Sequence, residues 1–157
     1  MITEKHTLDL QHFLPYRLTK LTGIISRTLA EQYSEKFDLT VHEWRVVAII
    51  GEQPGLTARK VGDLASLDKV NISRASDRLE KSGRIQRKVM DQDRRSFALH
   101  LTNSGREVLE LIIPLALEFE QKLLQSLSAD EQDSLISILG KLDLKADELA
   151  KAMKKGA

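Results

Sequence analysis

The sequence predicts a mainly α protein carrying one small β-hairpin, and three observations predict it. Apolar residues recur at spacings of three and four over most of the 157 positions. The period shortens to two only between Gly83 and Leu101. Capping and breaking residues stand at the boundaries of these stretches. The length suits one ordinary domain, and 1–157 is read as a single domain.

The first helix starts at Leu14, with Pro15 in its first turn, where a missing N–H costs nothing. Leu18, Leu21, Ile25, Leu29 and Tyr33 form its apolar face. Thr40-Val41-His42-Glu43 has the form of a capping box and opens a second helix through Trp44, Val47, Ala48 and Ile50. Gly51 and Pro54-Gly55 break it. Thr57 caps a short third helix whose buried side is Val61, Leu64 and Ala65. Ser66-Leu67-Asp68 makes a turn, and Asp68 is placed to cap the next helix. There Ile72, Ala75 and Leu79 share one stripe while Asn71, Arg74 and Arg78 share its neighbour. Lys81-Ser82-Gly83 ends that helix with glycine where the chain must turn left-handed.

Two β runs follow. Ile85, Arg87 and Val89 alternate with Gln86 and Lys88, and Phe97, Leu99 and Leu101 alternate with Ala98 and His100. The charged segment Met90–Arg95 joins them as a hairpin tip. Thr102 caps a long helix carrying Val108, Leu111, Leu115, Phe119 and Leu123, in which Pro114 predicts a kink or local break. Ser128-Ala129-Asp130-Glu131 is a second capping box, starting a last helix with Leu135, Ile138, Leu139 and Leu142. The tail from Lys151 to Lys155 is expected to fray.

Composition narrows the function. The formal net charge is only +1, yet between Arg59 and Arg95 eleven basic residues stand against six acidic ones. A basic module inside an acidic frame points to a polyanion, most economically double-stranded DNA. Aromatics make up 4% of the chain, which argues against base stacking as the mode of recognition. Cysteine is absent, so disulfides, cysteine metal sites and thiol redox sensing are excluded. His6, His12, His42 and His100 lack metal-ligand spacing, and no cofactor or metal is implied. No nucleophile stands in a catalytic motif, Ser73 included, so the chain reads as a non-enzyme. No apolar run reaches the ~18 residues of a membrane span. With no signal-peptide block near the start, a cytoplasmic protein is expected.

A helix enters the major groove with its N-terminal residues on base edges. Lys69, Asn71, Ser73, Arg74 and Arg78 are therefore candidates for base contact, and Thr57, Arg59 and Lys60 for phosphates. A plainer alternative makes Arg74 and Arg78 a solvated face paired with Asp77 or Glu80. Trp44 reads more simply as a core anchor.

Ser73-Arg74 with Leu79-Glu80-Lys81-Ser82-Gly83, then Asp91-Gln92-Asp93-Arg94-Arg95, then Leu101-Thr102 with Gly105, resemble in order and spacing the winged helix-turn-helix of the MarR family of bacterial transcriptional regulators. The resemblance implies a winged helix-turn-helix fold with N- and C-terminal dimerisation helices. Residues 40–105 would form the DNA-binding part, and 8–38 and 106–155 the dimerisation helices. It also implies that the hairpin tip enters the minor groove, with Arg94 inserting, Asp93 orienting it and Arg95 contacting DNA or pairing internally. A plain hairpin cap is the alternative for the tip.

Leu14, Leu18, Leu21, Leu115, Phe119, Leu135, Leu139 and Leu142 need a partner surface, which a homodimer supplies. Two-fold symmetry would set two recognition helices ~34 Å apart on an imperfect palindrome. The resemblance further implies a repressor released by a small anionic aromatic effector or its CoA thioester. Phe13-Leu14-Pro15-Tyr16-Arg17-Leu18 is similar to the first helix of members that govern catabolism of aromatic acids. Arg17 would grip the carboxylate, with Tyr16, Ser26 and Trp44 as further effector contacts. The alternatives are an interhelical ion pair for Arg17 and simple packing for the other three. The competing function is a winged-helix protein-interaction module without DNA binding.

Overall fold

The computed structural model describes residues 7–90 and 95–155. Their order is α1 (Leu14–Phe37), α2 (Val41–Glu52), β1 (Leu56–Thr57), α3 (Ala58–Ala65), α4 (Lys69–Lys81), β2 (Ile85–Val89), β3 (Phe97–Leu101), α5 (Asn103–Leu124) and α6 (Ala129–Lys155). Local chemistry sets most of these boundaries. At α2 the Thr40 hydroxyl accepts from Glu43 N at 3.2 Å, and Thr40 N donates to Glu43 Oε2 at 2.8 Å. The Ser128/Glu131 pair does the same at α6, at 3.3 and 2.8 Å. Gly83, at φ 73°, closes α4 in a Schellman motif: Arg84 N donates to Leu79 O and Gly83 N to Glu80 O, each at 2.9 Å.

Several features depart from expectation, among them Leu64 of α3, which is 45% exposed instead of buried. The sheet has three antiparallel strands in the order β1-β3-β2, because Leu56 and Thr57 pair with Leu99 and Ala98. A two-residue strand has no alternation to detect; its pairing is a backbone matter. The tail is helical, α6 continuing to Lys155, which suits its lysine and alanine content and the cation preference of a helix C-terminus. Of the kink or local break expected at Pro114, the break is absent: α5 is continuous through it.

The chain divides into two compact units, 1–116 and 117–157. In the first, Tyr33, Val46, Val47, Ile50, Val61, Ile72, Leu79, Leu99 and Ile112 form the centre of the core. Leu115 packs against that cluster, so it serves the core instead of an open face. In the second, Gln132 Nε2 donates to the carbonyls of Leu124 and Leu127 at 3.2 and 3.1 Å, closing the α5–α6 corner.

Burial pushes the Tyr33 hydroxyl up to about 12, with the charge of Arg45 opposing. A folded-state pKa above the unfolded one favours the fold below about pH 10, and the benefit is lost as pH rises through about 12. Tyr33→Phe removes this titration. Between about pH 9 and pH 12 the variant should lose roughly 2 kcal/mol less stability than the parent, read from urea unfolding.

Candidate nucleic-acid interface

The helix-turn-helix pair α3–α4 is set by short-range bonds. Ser66 N reaches back to Asp63 O at 3.3 Å and Leu67 N to Gly62 O at 2.9 Å. Gly62 allows the close crossing, since a Cβ there would stand 3.2 Å from Ile72 Cγ2 and 3.3 Å from Leu67 O. Ser66 takes φ 54° to make the turn. Asp68 caps α4, its Oδ1 accepting from Asn71 N at 2.8 Å. That bond, more than any other contact, holds the Asp68 carboxyl below the usual carboxylate range.

The buried side of α4 is Ile72, Ala75, Ser76 and Leu79. Lys69, Val70, Ser73, Arg74 and Asp77 lie on exposed positions. The expected contact residues are distributed over two flanks of this helix. A cleft of about 800 Å³ between α3, α4 and the strands is lined by Thr57, Arg59, Lys69 and Ser73, with Phe97 and Arg87 on its sheet side. A second cavity, about 430 Å³, is lined by Asn71, Arg74 and Arg78 together with Thr40, His42 and Glu43. Lys60 is exposed on the first turn of α3, where its backbone N–H donates to the Thr57 hydroxyl at 3.3 Å. The Thr57 hydroxyl hydrogen thus stays available to an acceptor such as a phosphate.

Two expected base contacts are already engaged. Asn71 Nδ2 donates to Asp68 Oδ2 at 2.8 Å. Arg78 Nε lies 2.8 Å from Glu43 Oε1, and its Nη2 lies 4.0 Å from Asp38 Oδ1. The equal ridge of Asn71, Arg74 and Arg78 read from the sequence is therefore unequal, with Arg78 turned to α2. The alternative pairing of Arg74 and Arg78 with Asp77 or Glu80 is also not what the structure holds. Those two carboxylates face Arg87 of β2, at 2.6 and 3.0 Å. Arg84 donates to the carbonyls of Phe37 and Asp38, tying the end of α1 to the segment after α4. Asp93 and Arg94 lie outside the described residues; Arg95 is exposed and has a partner of its own.

Sequence reasoning missed Arg87 as the clamp between wing and recognition helix. It also passed over Val70, which is 56% exposed in the first turn of α4. A signal existed: Val70 is out of register with Ile72, Ala75 and Leu79, and shares its face with Ser73 and Arg74.

The expected effector residues fall at separate places. Tyr16 and Arg17 are exposed at the start of α1, where Arg17 Nη1 donates to Gln11 O at 3.1 Å. Ser26 lies about 15 Å further along the helix axis, and its Oγ accepts from Arg45 Nη2 at 3.1 Å. Trp44 is half-buried against Tyr33, with ring centroids 5.6 Å apart. Among the described residues, Arg17 makes this local backbone bond.

Residues 39–97 match the model of the MarR family. The HTH-type transcriptional regulator BilQ of Clostridium symbiosum is 32% identical over 109 residues, covering 69% of this chain and 75% of its own. A MarR/EmrR family transcriptional regulator of known structure from Acinetobacter sp. ADP1 superposes with a TM-score of 0.83 at 27% identity, covering 90% of this chain and 99% of its own. The transcriptional repressor CouR, solved bound to a 23-mer DNA duplex, superposes with a TM-score of 0.74 at 26% identity, over 86% and 95% of the two chains.

Proposed function

From the premise that the chain belongs to the MarR family and is a transcriptional regulator, we propose that it is a homodimeric repressor reading an imperfect palindrome through α4. The observation that carries this reading is the exposed set Lys69, Ser73 and Arg74 on the first turns of a helix capped by Asp68. Beside it Thr57, Arg59 and Lys60 line the start of α3 as phosphate contacts. CouR, a repressor bound to duplex DNA, supports the same role by analogy. We assign residues 40–105 to DNA binding, and 8–38 with 106–155 to dimerisation.

The dimer reading rests on unpartnered apolar faces. Leu14, Leu18, Leu21 and Ile24 are exposed on α1, as are Ile136, Leu139, Leu142 and Leu144 on α6. So much exposed apolar surface on long helices is characteristic of an association face. Sedimentation of protein mixed with palindromic duplexes, selected from a random-sequence pool, tests the reading. Two chains per duplex is the expected result; one chain per duplex, or no complex, contradicts it.

For the effector we propose a small aromatic carboxylate held by Arg17, with Tyr16 beside it. Arg17 uses one N–H on Gln11 O, leaving the rest of its donor fork for an anion. Ser26 and Trp44, which lie apart from these two, would supply a hydroxyl and a ring. Such a ligand lowers DNA affinity only by binding the DNA-incompetent state better. Arg17→Ala should abolish release by benzoate and hydroxybenzoates, read by duplex anisotropy, while duplex affinity without them stays within about twofold, as expected for an exposed site. Joint loss of both would make Arg17 structural.

A further inference from the structure

Arg78 is the one recognition-helix residue that the sequence offers as a base contact and the structure ties to a buried carboxylate. Glu43 is only 2% exposed. Its two oxygens have separate tasks: Oε2 accepts from Thr40 N at 2.8 Å, completing the capping box of α2, and Oε1 faces Arg78 Nε at 2.8 Å. A carboxylate buried this deep needs such partners to offset its lost hydration. The Arg78 side chain, by contrast, is 58% exposed and lines the same cavity as Arg74. A guanidinium therefore stands at the edge of the DNA-facing surface with its charge matched from beneath.

We propose that Glu43 is a specificity-determining residue that withholds Arg78 from the DNA backbone. The inference rests on the duplex-binding reading above. Phosphate attraction is blind to sequence, and each cation that reaches a phosphate raises affinity for every duplex alike. Specificity is the ratio of cognate to non-cognate affinity, so neutralising a cation that reads no base raises that ratio. Glu43 does so without loosening the fold, because the same carboxylate caps the helix that carries it. Asp38, 4.0 Å from Arg78 Nη2, adds to the neutralisation from the end of α1.

The test is a two-residue cycle read as the slope of log affinity against log salt, for a selected duplex and its scrambled counterpart. Glu43→Gln keeps the capping box, since glutamine serves at that position, but removes the charge facing Arg78. It should steepen the slope by about 0.9 per subunit, the value for one added phosphate contact. Affinity for the scrambled duplex should rise several-fold, and the specificity ratio should fall by a similar factor. Arg78→Gln preserves a donor for Glu43 and should leave the parent's slope unchanged. The double variant should return to the parent's slope. Two outcomes overturn the proposal: Arg78→Gln alone flattening the slope by about 0.9 per subunit, or Glu43→Gln leaving slope and ratio as they were. If the parent protein binds neither duplex at any salt concentration, the duplex-binding reading fails, and this inference with it.

Discussion

Gly105→Ala should lower the unfolding free energy by about 3 kcal/mol or more, the upper range for overpacking plus lost hydrogen bonds. A Cβ at this position would stand 1.9 Å from Arg84 O and 2.9 Å from Arg84 C. Both are backbone atoms, so no rotamer change relieves the clash. The corner is held by bonds that share the atoms in question. Thr102 N donates to Arg84 O at 3.0 Å, Gly105 N to the Thr102 hydroxyl at 3.1 Å, and that hydroxyl to Gly83 O at 2.6 Å. Moving Arg84 away breaks this set and disturbs the bonds from Arg84 to the end of α1. Urea unfolding checks the expectation: the midpoint should fall while the m-value holds. A loss below about 1 kcal/mol, typical of an ordinary substitution, would show that the corner relaxes easily. The Leu101-Thr102 and Gly105 motif is thereby explained as a packing requirement between the wing's base and the start of α5.

Arg74→Ala should weaken binding to a selected duplex roughly 10- to 100-fold, the cost of one bidentate base contact of about 1–3 kcal/mol. Arg74 is exposed in the second turn of α4, on the face with Val70 and Ser73, and its removal leaves the core untouched. Stability should therefore stay within about 0.5 kcal/mol of the parent. Affinity for scrambled DNA should fall far less, since a base contact adds little where the base is wrong. Arg74→Lys should recover little of the loss, because an ammonium cannot form the planar fork. Equal losses on both duplexes would make Arg74 a phosphate contact. The contrast with Arg78→Gln is informative, as the two residues lie one turn apart on the same helix. One should change recognition directly and the other should not.

What was legible in the sequence was what local chemistry controls. Capping boxes at Thr40/Glu43 and Ser128/Glu131, the Asp68 cap and the Gly83 stop all depend on residues within five positions of each other. The wing was visible through its alternation, and the register pairs Ile85 with Leu101 and Val89 with Phe97. Less was legible where the partner is distant. Nothing near Arg78 points to Glu43 or Asp38, and nothing near Arg84 points to the end of α1. Arg87 entered only as a member of the strand alternation with Ile85 and Val89, yet it clamps two carboxylates of α4. A charge count therefore overstated how much cation faces outward: of the basic residues in the module, these three arginines spend their guanidinium groups on the protein itself. Val70 was overlooked for another reason: an apolar side chain outside the buried stripe carries no charge to draw attention to it, although it is 56% exposed.

The most direct test of the central claim is the affinity of the purified protein for a selected palindromic duplex and its scrambled counterpart, followed from about 50 to 200 mM salt. Both affinities should fall steeply with salt, with the selected duplex bound at least ~10³-fold more tightly at physiological salt. Affinity that ignores salt, or that does not distinguish the two duplexes, would contradict that claim.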